Sequence, residues 1–391
     1  MRYKILQIFH RYLQYGGEEG SVTRIGDALD GIADVGYFVS SSDQYVSNNY
    51  LKKLESAFLS LHNHTLIKKI INQQKVGQYN IWQIHNVFPF MSPSVYAEAF
   101  RMGTPVIQYL HNYRMSCVNG YFLNDGKTCK SCINGNFLKA GLTGCWRNNH
   151  LESAFGGVIL KRMQMMDTFQ KISGWVALST KQKENHVLMG IPADKIHIIP
   201  HFYEYSPEKT IETVGKNVLF VGRLSKEKGV HLLLDGWKLV NQRDASLIFM
   251  GDGPELKALQ ARVHDEGIPN VKFLGFVTKE EQQDVWRECA FSVVPSIWDD
   301  PLPTVVFESW ERGRAVIGSS KGGNIETIDH GVNGLKFSDD SAVELAEAIG
   351  HLLGKPQLCS EMASNGIQKI NSTYNIKDWE LKMQALYKLV I

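Results

Sequence analysis

The sequence predicts an α/β protein of two doubly wound, Rossmann-like domains facing each other across a cleft. Three observations lead there. The chain has 391 residues, more than one ordinary hydrophobic core accommodates. Short apolar, β-branched runs alternate with longer amphipathic stretches from end to end, the pattern of parallel sheets covered by helices on both faces. A polar, proline-bearing stretch, Glu204-Tyr205-Ser206-Pro207-Glu208-Lys209, interrupts the alternation near the middle and has the composition of a linker.

In the first half, strands are expected at Ile5–Phe9, Val35–Val39, Ile81–Ile84, Val106–Leu110, Trp175–Leu178 and Ile196–Ile199. In the second half they are expected at Asn217–Val221, Ser246–Met250, Val271–Leu274, Phe291–Val294 and Ala315–Gly318. Each set suffices for its own sheet. The first domain is placed at residues 1–203 together with a last helix at about 374–391, and the second at residues 204–373. Neither an internal repeat nor a low-complexity tract is evident.

Hydrophobic residues make up 43% and charged residues 21%, as in ordinary globular enzymes. No apolar run reaches the roughly 18 residues of a membrane span, and Met1–His10 lacks the features of a signal peptide. A cytoplasmic protein is expected, with peripheral contact at the inner membrane face as a possible addition. Net charge is +2, unevenly spread. Residues 1–200 carry 21 Lys and Arg against 13 Asp and Glu; residues 201–391 carry 21 against 27. The basic first half suits an anionic acceptor or membrane surface, or is scattered solvated charge. No nucleic-acid partner is expected.

Open α/β sheets bind ligands beyond the carboxyl ends of their strands, so the loops after strands carry the candidates. Gly222-Arg223-Leu224-Ser225-Lys226-Glu227-Lys228 follows the strand ending at Val221. Gly222 permits close backbone approach, and Arg223 and Lys228 lead into a helix start, a setting that suits a diphosphate. Gly251-Asp252-Gly253-Pro254 follows the next strand. Asp300 lies in a proline-rich loop after Val294, and seven residues separate it from Glu308. A carboxylate one turn into a helix can hold ribose hydroxyls, and the helix start at Thr304 and Val305 offers N–H groups to phosphate. The loop Ser319-Ser320-Lys321-Gly322-Gly323-Asn324-Ile325-Glu326 comes last.

Together, and in this order, these motifs resemble the retaining nucleotide-sugar glycosyltransferases of family 4, with the GT-B fold, of the bacterial polysaccharide or O-antigen type. The resemblance extends over nearly the whole chain and is strongest from 217 to 335. It implies that Arg223 and Lys228 bind the donor diphosphate, Glu308 the ribose, and Asp300 the donor sugar. The family has Glu at the position of Asp300, and the shorter side chain points to an altered sugar contact.

In the first half, Gly16 and Gly17 lie in a glycine turn after the first strand; the resemblance implies that this turn approaches the donor phosphate and acceptor. His111 and Asn112 follow Leu110, and the resemblance puts His111 beside the transferred sugar. His85-Asn86 sits similarly after Ile84. Beyond His111 comes an insertion with Cys117, Cys129, Cys132 and Cys145. Four disulfide-bonded cysteines are rare in the cytosol, and a Cys-x-x-Cys core with flanking cysteines has tetrahedral zinc spacing. A structural zinc site is expected, with four reduced thiols or a labile disulfide as alternatives; no catalytic cofactor is expected. The stretch Leu160–Met166 reads as a packed helix with a solvated face, the alternative being a membrane-surface helix.

The expected activity is metal-independent transfer of a sugar, of hexosyltransferase type, from a UDP- or GDP-sugar to a saccharide or lipid-linked saccharide. Two alternatives stand beside it: a nucleotide-sugar 2-epimerase on the same fold, and a non-catalytic partner subunit.

Overall fold

In a computed structural model of the chain, the described residues are 2–12, 17–45, 50–241, 244–338 and 340–391. They divide into two compact units. One comprises Met1–Asn124, Cys129–His201 and Ile376–Ile391; the other comprises Asp125–Thr128 and Phe202–Asn375.

Continuous apolar runs become buried parallel strands in both units. The first holds β1 (Tyr3–Arg11), β2 (Ala33–Ser41), β3 (Ile81–Asn86), β4 (Val106–Tyr109), β5 (Gly174–Ala177) and β6 (Ile196–Ile198), in the order β2-β1-β3-β4-β5-β6. Every residue of β3, β4 and β5 is buried, which is why their sequences do not alternate. At the edge of the sheet, β2 does mix exposed and buried positions. The C-terminal helix Ile376–Val390 belongs to this unit. Its Trp379 Nε1 donates to Tyr109 Oη (3.3 Å), and its Tyr387 hydroxyl donates to Gln83 Oε1 (2.7 Å).

The second unit holds β7 (Asn217–Val221), β8 (Leu247–Met250), β9 (Val271–Gly275), β10 (Cys289–Val294), β11 (Ala315–Ser319) and β12 (Leu335–Phe337), in the order β9-β8-β7-β10-β11-β12. β12 was not among the strands expected from sequence; three residues at an edge carry little periodic signal. Each face of the sheet has its own core. Val218, Phe220, Phe249 and Phe291 pack with the helices Val230–Leu239 and Ala342–Leu352. On the opposite face, Leu219, Ile248, Met250 and Trp286 form a second cluster. Two covered faces are what a doubly wound sheet requires.

The stretch expected as a linker is pinned within the second unit. Glu311, 1% exposed, accepts from Tyr203 Oη (3.0 Å), Ser206 N (3.1 Å) and Lys209 Nζ (3.2 Å). Arg314, wholly buried, donates to the carbonyls of Ile211 (3.2 Å), Thr213 (2.8 Å) and Trp286 (2.9 Å). These contacts tie the chain entering β7 to the helix Val305–Glu311 and the sheet behind it.

Candidate active site

The strand order of the second sheet reverses between β7 and β10. Ligands of open α/β sheets lie beyond the carboxyl ends at such a reversal. Two loops meet here: Gly222–Lys228 after β7, and the loop after β10 that carries Asp300.

Asp300 is 6% exposed, and its Oδ2 accepts from Lys228 Nζ at 2.5 Å. The ammonium also lies 5.7 Å from the ring centroid of Trp298. Arg223 is exposed and, among the described residues, forms no ion pair. The loop after β7 thus carries an exposed guanidinium five residues before an ammonium held by a buried carboxylate.

The glycines let the loops approach. Gly251 has φ +143°, and a Cβ there would lie 2.0 Å from the carbonyl oxygen of Gly222. Gly222 N in turn donates to Met250 O at 3.0 Å. A Cβ on Gly322 would lie 2.3 Å from Asp300 O, and Gly323 N donates to that oxygen at 2.7 Å. The Gly-Gly loop after β11 therefore props the backbone of Asp300 from behind. Thr304 immediately precedes the helix Val305–Glu311, and its hydroxyl donates to half-buried Glu308 (Oε1, 3.4 Å). Glu308 lies one turn into that helix.

In the first unit, His111 follows β4 and stands in a stack of rings. Centroids lie 5.2 Å away for His85, 5.0 Å for Tyr109 and 5.5 Å for His201. His85 Nδ1 meets His111 Nε2 at 2.9 Å, and His85 Nε2 meets Gln7 Oε1 at 2.7 Å. Gln83 Nε2 also approaches His85 Nε2, at 3.4 Å, and one of the two facing nitrogens, His85 Nδ1 or His111 Nε2, carries the proton they share. Burial and then Arg24 lower the pKa of His111 to about 3, and burial lowers His85 well below its ordinary value. Both rings are neutral at pH 7.

Next to them lies a charged cluster that sequence reasoning did not single out. Asn112 Nδ2 donates to Glu18 Oε2 at 2.9 Å, while Glu18 Oε1 is buried without a hydrogen bond among the described residues. Burial raises the Glu18 carboxyl to about 7, opposed by Arg114 and Asn112. The Arg114 guanidinium lies 5.5 Å from the Tyr12 ring centroid and 5.6 Å from that of Trp146. The signal in the sequence was the pair Glu18-Glu19 behind the glycine turn. Gly17 begins the helix Gly17–Leu29; Gly16 lies outside the described residues.

Cys117, Cys129, Cys132 and Cys145 come together around one small cavity. Among the described residues, however, no three or more Cys, His, Asp or Glu side chains are grouped so as to hold a metal ion as they stand. Nor is any described helix long and apolar enough to cross a membrane.

Residues 215–355 match the family described as glycosyl transferases group 1. Over 246 residues the chain is 26% identical to an uncharacterized glycosyltransferase, MJ1607, of Methanocaldococcus jannaschii, covering 59% of this chain and 63% of that protein. Over 197 residues it is 37% identical to a GDP-mannose-dependent alpha-mannosyltransferase of Corynebacterium glutamicum, covering 50% of this chain and 44% of the relative. The chain thus spans less than two-thirds of the length of these relatives. Anabaena HepE, solved in complex with UDP and glucose, aligns with a TM-score of 0.71 at 19% identity, covering 99% of this chain and 100% of that one. The fold is that of the GT-B glycosyltransferases: two Rossmann-like domains with parallel sheets.

Proposed function

We propose that the protein is a retaining glycosyltransferase that moves a sugar from a UDP- or GDP-linked donor to a saccharide or lipid-linked saccharide. The observation that carries this reading is the Lys228–Asp300 pair beside exposed Arg223 at the strand-order reversal of the second sheet. The match of residues 215–355 supports it. So do the UDP and glucose held by the Anabaena neighbour and the GDP-mannose dependence of the Corynebacterium relative.

Arg223 and Lys228 grip the donor diphosphate, and Glu308 takes the ribose. When the anion engages Lys228, the Asp300 carboxylate is released to accept from a sugar hydroxyl. The acceptor oxygen attacks the anomeric carbon on the face from which the diphosphate leaves. The bond to the β-phosphate oxygen breaks with its electron pair, and the acceptor's proton passes to that oxygen. The two cations stabilise the growing negative charge, so divalent metal is not required. His111 presents Nδ1, the ring nitrogen that does not face His85, to a hydroxyl of the transferred sugar. The test incubates the full chain with UDP- and GDP-sugars and saccharide acceptors in excess EDTA, and reads the product by NMR. Transfer with the donor's anomeric configuration kept is expected. An inverted product, or a 2-epimerised sugar formed without acceptor, contradicts it.

A lipid-linked acceptor has support on the surface of the first domain. Leu151, Val158 and Met165, spaced by seven on the helix His150–Met165, are 82%, 52% and 76% exposed. Leu138 and Leu142, on the adjacent helix Leu138–Thr143, are 82% and 78% exposed. Exposed Lys139, Lys161 and Arg162 accompany them. Apolar side chains flanked by cations suit an anionic lipid surface. Flotation with phosphatidylglycerol vesicles is expected to carry the protein upward, and Leu138→Glu with Leu142→Glu to abolish this. Equal flotation of wild type and variant contradicts it.

A further inference from the structure

The insertion between His111 and the helix His150–Met165 contains four of the chain's six cysteines. Their placement is more than proximity in sequence. Gly120 has φ +84°, and its N–H donates to Cys117 O (3.0 Å), turning the chain back on itself. Cys129 N then donates to Phe122 O (2.7 Å), which brings the Cys-x-x-Cys segment under Cys117. The helix Leu138–Thr143 delivers Cys145 from the other side. All four side chains line one cavity of about 10 Å³, closed by Asn119, Phe122 and Ala140. A space of this size holds one water-sized occupant. That is room for a single ion.

Arg114 is near enough to Cys117 to interact with its charge. Cys117 Sγ–H donates to Asn119 Oδ1 at 3.1 Å. The other two cysteines, Cys289 and Cys359, are buried in the second unit and do not line this cavity.

We propose that Cys117, Cys129, Cys132 and Cys145 bind one zinc ion as a tetrathiolate, closing on the cavity they line. Binding exchanges four thiol protons for the metal and leaves a site of net charge −2, offset by Arg114. Four protein ligands leave no position open to substrate, so the ion is a staple. It ties Arg114 and Trp146, the cation and ring that stand three residues before Cys117 and one after Cys145, into a single loop beside His111. This inference does not depend on sugar transfer.

The test uses the full chain purified without a metal-affinity tag, its metal content read by mass spectrometry and its thiols by alkylation without reductant. About one equivalent of zinc is expected, released in step with four thiols under a mercurial titration. Growth in cobalt should yield the intense visible bands of a tetrahedral cobalt thiolate. Cys132→Ser should lose the metal, and Cys289→Ser should keep it. If Cys132→Ser fails to fold, the wild-type zinc and thiol counts decide. Less than about half an equivalent of zinc with all thiols free, alkylation showing two disulfides, or an iron chromophore would each overturn the proposal.

Discussion

Burial works in opposite directions on neighbouring side chains of the first domain. It holds His111 and His186 at about 3 and His10 at about 4, against an ordinary 6.5. The unfolded chain therefore takes up protons first as pH falls, and the stability these rings confer above 6.5 is lost toward their folded values. Glu18 behaves inversely. Raised to about 7 by burial, its contribution is complete below about 4.5 and lost as pH rises through 7. Several histidines outweigh one carboxyl on the acid side. Unfolding free energy should be level above about pH 7 and fall by several kcal/mol between about pH 6.5 and 4. Glu18→Gln, which removes the opposing slope between about pH 4.5 and 7, should steepen that fall. Denaturant titrations across this range check both; a flat acid limb would contradict the neutral, buried imidazoles. Sequence reasoning reached His111 because a histidine at a strand end is a local feature. It missed the hydrogen-bonded row Gln7–His85–His111, since its members come from two strands and the loop after a third, 78 and 26 residues apart. Glu311 was equally illegible: a glutamate in a helix reads as solvated until its four partners are in place.

The loops after β7, β8, β10 and β11 were the most legible elements, because glycines and prolines mark tight strand-to-helix turns directly. What the pattern could not show is that these turns support one another. Gly251 rests on the carbonyl of Gly222, and Gly322 on that of Asp300. A side chain at 251 meets both an unfavourable φ and a neighbouring backbone. Gly190, at φ +92° with open space around it, isolates the first effect. Gly190→Ala should cost about 1 kcal/mol and Gly251→Ala about 2 kcal/mol or more, the latter also weakening nucleotide binding. Equal losses in the two variants would show that the close approach to Gly222 does not matter. The edge strand β12 escaped notice for the opposite reason: three residues fall below the length at which a period can be read.

At the scale of the whole molecule, the two sheets differ in what their strand ends present. The second domain offers cations at the reversal of a 3-2-1-4-5-6 sheet. The first offers neutral imidazoles, a high-pKa carboxyl and a cysteine-lined insertion. The doubly wound architecture was readable from alternation alone. The last helix was expected with the first domain; what the sequence did not show is how it is held there, by Trp379 and Tyr387 on Tyr109 and Gln83. The central claim is that Arg223 and Lys228 grip a nucleoside diphosphate. Calorimetric titration of the full chain with UDP and with GDP in EDTA tests it most directly. One of the two should bind with a stoichiometry near one, and Arg223→Ala or Lys228→Ala should weaken that binding by about tenfold or more, the worth of a charge-assisted contact. No binding of either nucleotide, or affinity unchanged in both variants, would contradict the account.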